Sequence, residues 1–461
     1  MITLSFHGAA GTVTGSKYLL RVNDHSILID CGLFQGKKEL RQRNWQAPVF
    51  NPSDLSAIIL THTHIDHIGY LPKLKREGFS GIIYATPPTI EMAKILLLDS
   101  ARLNEEDAEY RNRKGLTSHD VALPLFTEYD VESLYPLFRS SEFGEWIQVC
   151  PGIRFRYHVV GHILGAASAF VEITDNGKKT TILFSGDVGR YGNPLTIDPA
   201  EPPEADYLVC ESTYGGKVHP DGNPYDDFAK LIMDTIKHKR VMLIPAFAVG
   251  RTQQITWLIN RLIEEKKIPV IDIHVDSPMA VSATEIYRKY SSYHRLDPGH
   301  IGGEKCCLYG PHVTLHKKRK SSKDLNKLRG PAIIISSSGM MTGGRIMHHL
   351  MNRLGNTSTT LAIVGYMAEG TLGRKLLDGE KMVYIHKQPI EVKAKIVTYG
   401  GLSGHGDYTE LLQWLKPFRT PPRRVFITHG EPAMASAMAE HLSTERQWQC
   451  HIPVMDESVE L

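Results

Sequence analysis

Residues 61–69 read THTHIDHIG and follow the apolar run Ala57, Ile58, Ile59, Leu60 without a break. Three histidines and an aspartate stand between His62 and His67. Left unpartnered in a folded interior, polar groups cost roughly 2–7 kcal/mol each, so the segment is either solvated and idle or built around something positively charged. In an extended segment alternate residues share a face. His62 and His64 then offer their rings to one ion, while Asp66 and His67, just beyond, face a second. Imidazole and carboxylate suit borderline divalent cations such as zinc.

The same phrase, a short β-branched or leucine-rich run ending in an acid or a histidine before a turn, recurs along the chain. SILIDCG carries Asp30, TILFSGDVG carries Asp187, DYLVCEST carries Glu211 and RVFITHG carries His429. Such runs read as strands buried on both faces, and layered α/β folds gather their chemistry where strands end. His162, in RFRYHVVGHILGAASAFVEI, falls in a Gly-flanked interruption of a longer strand-like stretch, where a bulge or bend turns it toward a site. His162, Asp187 and His429 complete the ligand set, with the Asp187 carboxylate suited to bridging two cations. Paired cations lower the pKa of a water between them and neutralise charge at phosphorus, so phosphodiester hydrolysis fits, as do amide, thioester and lactone hydrolysis. GAAGTVTGSKYLL imitates a phosphate-binding loop, but Lys17 follows Ser16 where that motif has the lysine first, and the segment reads as a turn entering a strand.

At 461 residues the chain exceeds one ordinary core, which implies two domains or one domain with an insertion. With 42% apolar and 22% charged residues it has a soluble globular composition. A net charge of +3 does not announce a nucleic-acid binder, yet leaves room for a local basic surface. The N-terminus lacks a signal-peptide pattern and no run reaches the ~18 apolar residues of a membrane span, so the expected place is the cytoplasm, away from membranes. Six scattered cysteines without a C-x-x-C pair point to reduced, packed thiols. Up to about residue 208 the rhythm is strand and turn, with a helix near 91–110. From roughly 225 to 385 helix and strand alternate, the pattern of an open, mostly parallel sheet; after that the strand, loop and histidine phrase returns. One domain is interrupted by another.

THTHIDH together with Asp30, His162, Asp187 and His429 resembles the metallo-β-lactamase superfamily. The α/β insertion, preceded by Glu211 and followed by SGHGD and FITHG, resembles its β-CASP branch of nucleic-acid-processing nucleases, similar to the endonuclease of mRNA 3′-end cleavage. The resemblance implies an αββα sandwich interrupted by an α/β β-CASP domain with a mostly parallel sheet. The expected parts are residues 1–208 for the first part of the sandwich, 209–390 for the insertion and 391–461 for the returning part. It implies two Zn2+ per chain, with His62, His64 and His162 on the first, Asp66, His67 and His429 on the second, Asp187 bridging and Asp30 supporting from behind. The implied catalytic set is Asp66, Asp187, Glu211 and His405, with His405 as the general acid helped by Glu211. His429 at its position resembles the RNA-acting members, since the DNA-repair members carry valine there. Without an appended RNA-binding module or a long C-terminal extension, the chain resembles the compact bacterial form.

The loop SSSGMMTGGR suggests phosphate contact through Ser336, Ser337, Ser338 and Arg345, with Arg251 and Arg374 in similar loop-to-helix positions. With the basic run 316–330 they give a face for single-stranded RNA, and without an aromatic stacking motif sequence specificity should be weak. The leading expectation is a zinc-dependent endoribonuclease. A 5′-to-3′ exoribonuclease on the same site, a small-molecule thioester, lactone or lactam hydrolase, and a silent RNA-binding subunit are the alternatives, and a homo-oligomer is open.

Overall fold

The computed structural model describes residues 1–115, 121–219, 224–296 and 308–461. The chain divides into two compact units, residues 1–218 with 405–461, and residues 219–404.

In the first unit, two seven-stranded sheets share one apolar core. One sheet runs Glu457–Glu460, Ile2–Phe6, Tyr18–Val22, His25–Ile29, Leu55–Ile59, Ile82–Ala85, Phe138–Ser140. The other runs Cys450–His451, Arg424–Thr428, Tyr207–Glu211, Lys178–Phe184, Ala167–Asp175, Ile153–Val159, Ile147–Cys150. Period-two alternation makes the core: Ile153, Phe155 and Tyr157 are fully buried, while Arg154, Arg156 and His158 between them are half-buried. Rings from both sheets meet there, with Phe6 and Phe426 centroids 5.1 Å apart. The mid-chain helix is longer than the spacing suggests, Pro87–Lys114, and Gly115 closes it in the left-handed region. Pro432–Arg446 packs Ala435, Met438 and Leu442 toward the second sheet.

The second unit carries a six-stranded sheet in the order Val313–Leu315, Asp272–Asp276, Ala332–Ser336, Val241–Pro245, Thr359–Ile363, Lys395–Thr398. All its pairings are parallel, as the alternating helices and strands imply. Apolar clusters form on two sides, one around Ile244, Ile259 and Ile335, the other around Leu243, Ile334 and Leu361. Val241–Pro245 and Ala332–Ser336 are therefore near-continuous apolar runs buried along their length, whereas Asp272–Asp276 (DIHVD) alternates.

The borders differ from those expected. A cut at 208/209 would divide Tyr207–Glu211, which pairs along its length with Arg424–Thr428 inside the first unit. A cut at 390/391 would strip the second unit of Lys395–Thr398, paired in parallel with Thr359–Ile363. The stretch around His162 also differs: it is a connection between two antiparallel strands, Ile153–Val159 and Ala167–Asp175, rather than a bulge within one. Gly161 and Gly165, at φ 68° and 80°, shape it. Cys31 and Cys210 are buried free thiols and Cys150 and Cys450 are half-buried; Cys306 and Cys307 lie outside the described residues. Among the described residues no helix is long and apolar enough to cross a membrane.

Candidate metal centre

The titratable groups converge where strands of the first unit end. Beyond Leu55–Ile59 the chain runs without regular structure to His64, itself extended, then enters the single helical turn Ile65–Ile68. His64 thus leaves extended backbone, whereas Asp66 and His67 sit on helical backbone. Neighbouring loops are stitched to this turn: Ser16 N donates to Asp66 O at 2.8 Å, Cys31 N to His67 O at 2.7 Å and Leu33 N to Ile65 O at 3.0 Å. The approach at Gly32 is so close that a Cβ would stand 1.6 Å from Asp66 O, which restricts that position to glycine.

Two clusters of ligand atoms result, one from His62, His64, His162 and Asp187, the other from Asp66, His67 and His429. His64 Nδ1 lies 3.0 Å from His62 Nε2 and 3.1 Å from His162 Nε2. Asp187 Oδ2 stands 3.3 Å from His62 Nε2 and 3.5 Å from His162 Nε2. In the second cluster His67 Nε2 is 3.1 Å from His429 Nε2, and Asp66 Oδ2 is 3.6 Å from the latter. Asp187 reaches this side as well, with Oδ1 3.4 Å from His67 Nε2. Donors held at about 2.0–2.1 Å by one cation stand roughly 3.0–3.4 Å apart, so both clusters fit a divalent ion. Asp187 Oδ1 is also buried with no hydrogen-bond partner among the described residues, which a cation would satisfy.

Electrostatics divides the histidines. Burial, with the neighbouring imidazoles, lowers the pKa of His62, and burial takes His64 down to about 3, so both rings are neutral at pH 7, the form a cation requires. Burial also opposes charge on His67, but Asp187 and Asp30 outweigh it and hold the pKa up to about 10. Asp187 is pushed up by burial, whereas the pairing of Asp66 with His429 and His67 overcomes burial and keeps it ionised.

Outer hydrogen bonds orient the rings. Asp30 Oδ2 accepts from His67 Nδ1 at 2.8 Å and from the Thr61 hydroxyl at 2.8 Å, which leaves His67 Nε2 to the cluster. Thr61 Oγ1 also stands 3.1 Å from His62 Nδ1. Thr213 does the same for His429: its hydroxyl donates to His429 O at 3.2 Å and so accepts from Nδ1 at 3.1 Å. Thr61 and Thr213 were not expected from the sequence; the hydroxyl residues bordering titratable side chains in THTH and EST were the available signal.

Beside the clusters, His405 Nδ1 is 3.1 Å from Glu211 Oε2 and 3.9 Å from Asp187 Oδ2. Glu211 is 1% exposed and is further held by Val188 N, which donates to Oε1 at 2.6 Å. Burial disfavours charge on both, but their mutual attraction wins: Glu211 is lowered and His405 is raised to about 9, so the pair is carboxylate and imidazolium at neutral pH.

The other expected residues lie in the second unit. Ser336 is buried, its hydroxyl bonded to Asp276 O at 3.1 Å; Ser337 donates to Ser277 Oγ at 2.8 Å and Ser338 is 3.2 Å from Thr342 Oγ1. Arg345 is engaged by Asp276 and by the carbonyls of His316 and Lys317. Arg251 bonds Gln254 and Arg374 pairs with Asp378.

Comparison with known proteins gives three family matches: the metallo-beta-lactamase superfamily over residues 10–242, a Beta-Casp domain over 252–376, and a Zn-dependent metallo-hydrolase RNA specificity domain over 389–453. A protein of Thermus thermophilus named as a ribonuclease is 34% identical over 95% of this chain and 96% of its own length. An RNase J-like protein of Methanocaldococcus jannaschii is 29% identical over 94% and 93%, and a transcription termination factor of the same organism is 27% identical over 98% and 70%. The crystal structure of a protein of unknown function from Enterococcus faecalis V583 aligns over 100% of both chains with a TM-score of 0.54 at 14% identity, a likeness of fold. On this footing the chain belongs to the metallo-β-lactamase superfamily, in the branch that carries a Beta-Casp domain.

Proposed function

We propose that the protein is a metal-dependent ribonuclease that hydrolyses phosphodiester bonds of single-stranded RNA, internally in the first place, with two zinc ions per chain. The observation that carries this reading is the pair of buried Glu211 and half-buried His405 beside two clusters of ligand atoms. A centre that only binds metal has no use for a second acid and imidazole held at 3.1 Å, and a departing ribose oxygen does. The names of the relatives from Thermus and Methanocaldococcus support RNA as the substrate.

His62, His64 and His162 would hold one cation, Asp66, His67 and His429 the other, with Asp187 between them. When bound, the pair supplies Lewis acidity at the scissile phosphate and lowers the pKa of a water. The chain's own residues do the rest. Glu211 fixes the His405 ring through Nδ1 and keeps it protonated, and His405 Nε2 delivers its proton to the 3′ oxygen as the P–O bond breaks. Attack at phosphorus with loss of that oxygen leaves a 5′-phosphate and a 3′-hydroxyl. Asp30, Thr61 and Thr213 hold ligand tautomers and take no part in proton transfer. Ser337, Ser338, Arg251 and Arg374 are the phosphate contacts of the second unit; Ser336 and Arg345 are committed to holding that unit together.

A circular RNA tests this reading, because it has no end to seat. With metal present, linear fragments bearing 5′-phosphates are expected, and His405→Ala should abolish them while keeping its metal. A circle left whole beside a degraded linear RNA would make the enzyme a 5′-to-3′ exonuclease, and intact RNA of both forms would end the ribonuclease reading.

A further inference from the structure

Between residues 317 and 329 the chain carries seven exposed basic side chains and one acid, Asp324, although its whole length nets only +3. Among the described residues none of the seven forms an ion pair. A run of like charge is ordinarily a loose, solvated face. This one is pinned. Leu325 is buried in the apolar cluster of the second unit with Leu328 packed against it. Arg353, itself 6% exposed, donates to the carbonyls of Leu325 and Leu328. Asp276, with no exposure at all, takes the Ser322 hydroxyl at 2.6 Å, His349 Nε2 at 2.7 Å and Arg345 Nη1 at 2.7 Å. Arg345 in turn clamps His316 O at 2.6 Å and Lys317 O at 2.8 Å.

Burying charged groups is costly unless they are paired. Here Asp276 is paired with Arg345, and Arg353 is held by two backbone carbonyls of the same surface segment, so all three serve to fix its shape. The segment also has a telling position. It leaves the edge strand Val313–Leu315 at the C-terminal end, where Leu315 is level with Val275 and Asp276 with Ser336. It therefore lies along the same edge as the Ser337–Ser338 loop, the edge of a parallel sheet where ligand crevices form.

We propose that residues 317–329 are an electrostatic docking surface for the phosphate backbone of single-stranded RNA, kept rigid by Asp276, Arg345 and Arg353. The inference rests on the ribonuclease reading and adds where the strand is gripped away from the cleaved bond. Lysine-rich and without an exposed aromatic side chain, the surface tracks charge and leaves the bases unread. Arg345 is thereby a positioning residue rather than a phosphate ligand.

The test is fluorescence anisotropy of a 30-nucleotide poly(U) RNA with the full chain, all three proteins carrying His405→Ala so that the RNA stays whole. Against that reference stand K318Q/R319Q/K320Q/K323Q and, as a charge-keeping control, K318R/K320R/K323R. The quadruple variant should bind about tenfold or more weaker near 0.1 M salt, with a log Kd against log salt slope smaller by about 0.7 per lost contact. The control should bind like the reference, and metal content and melting should be equal in all three. Equal affinity and slope in the quadruple variant would overturn the inference alone. Unchanged RNA binding alongside lost binding of poly-glutamate would overturn it too, transferring the surface to an acidic protein partner. A reference that binds no RNA would bring down the ribonuclease reading as well.

Discussion

Replacing Asp30 by asparagine isolates the hydrogen bonding that orients the metal centre. Asp30 has φ 58°, a left-handed conformation that asparagine adopts more readily than most residues, and the two side chains are isosteric. Backbone and packing should therefore stay. The carboxylate accepts three hydrogen bonds: Oδ1 from Thr61 N at 2.8 Å, and Oδ2 from the Thr61 hydroxyl and His67 Nδ1 at 2.8 Å each. An amide has one acceptor oxygen. With that oxygen toward Thr61 N, the NH2 meets His67 Nδ1, and His67 must carry its proton on Nε2, the atom facing Asp187 and His429. Reversed, the NH2 meets the Thr61 N–H. Either way a buried donor is stranded, at about 1–3 kcal/mol, and loss of a carboxylate behind a ligating histidine weakens metal about 10–100-fold. Competition for zinc against a chromophoric chelator reads this directly, with circular dichroism to establish the fold. The expected result is native dichroism and at least tenfold weaker zinc binding. Zinc affinity within twofold of the parent would refute the tautomer argument.

Glu211→Gln removes the charge that holds the His405 pKa up to about 9 against burial, so the proton is lost at lower pH. The alkaline limb of kcat for RNA should move to lower pH, with a large loss near pH 8 and partial recovery near pH 6; an equal loss at every pH would contradict this. In metal-free protein the raised pKa of His67, about 10, keeps its proton through neutral pH, so zinc loading should release it. Calorimetry in buffers of different ionisation enthalpy should count that proton, and release should fade near pH 10. The same shift stabilises the metal-free fold fully below the unfolded histidine pKa, and that gain is lost as pH rises through about 10, so the chelated protein should melt lower at pH 10 than at pH 7. Gly32→Ala places a methyl against Asp66 O and should cost the protein its metal, measured as metal per chain after dialysis.

The convergence of these side chains was legible because several imidazoles and carboxylates at strand ends have few uses besides a cation. The parallel sheet of the second unit was legible for a similar reason: strands such as Val241–Pro245 are buried along their whole length and separated by helical periods. Borders were not. Tyr207–Glu211 and Lys395–Thr398 look alike in composition, and only their hydrogen-bonded neighbours assign one to the first unit and the other to the second. The bonding of Arg345 is not legible, because a loop-to-helix arginine looks the same whether it faces solvent or Asp276, whose carboxylate arrives from 69 positions away. Thr213 was missed because its partner His429 is 216 residues distant.

The most direct test of the central claim is to strip the metal, restore zinc stepwise, and follow bound metal and cleavage of a 5′-labelled single-stranded RNA in the same samples. The account predicts no cleavage without metal, saturation at two zinc ions per chain, activity that rises with loading, and no cleavage by His405→Ala at full loading. Full cleavage by the stripped protein, or two bound zinc ions with the RNA left intact, would contradict it.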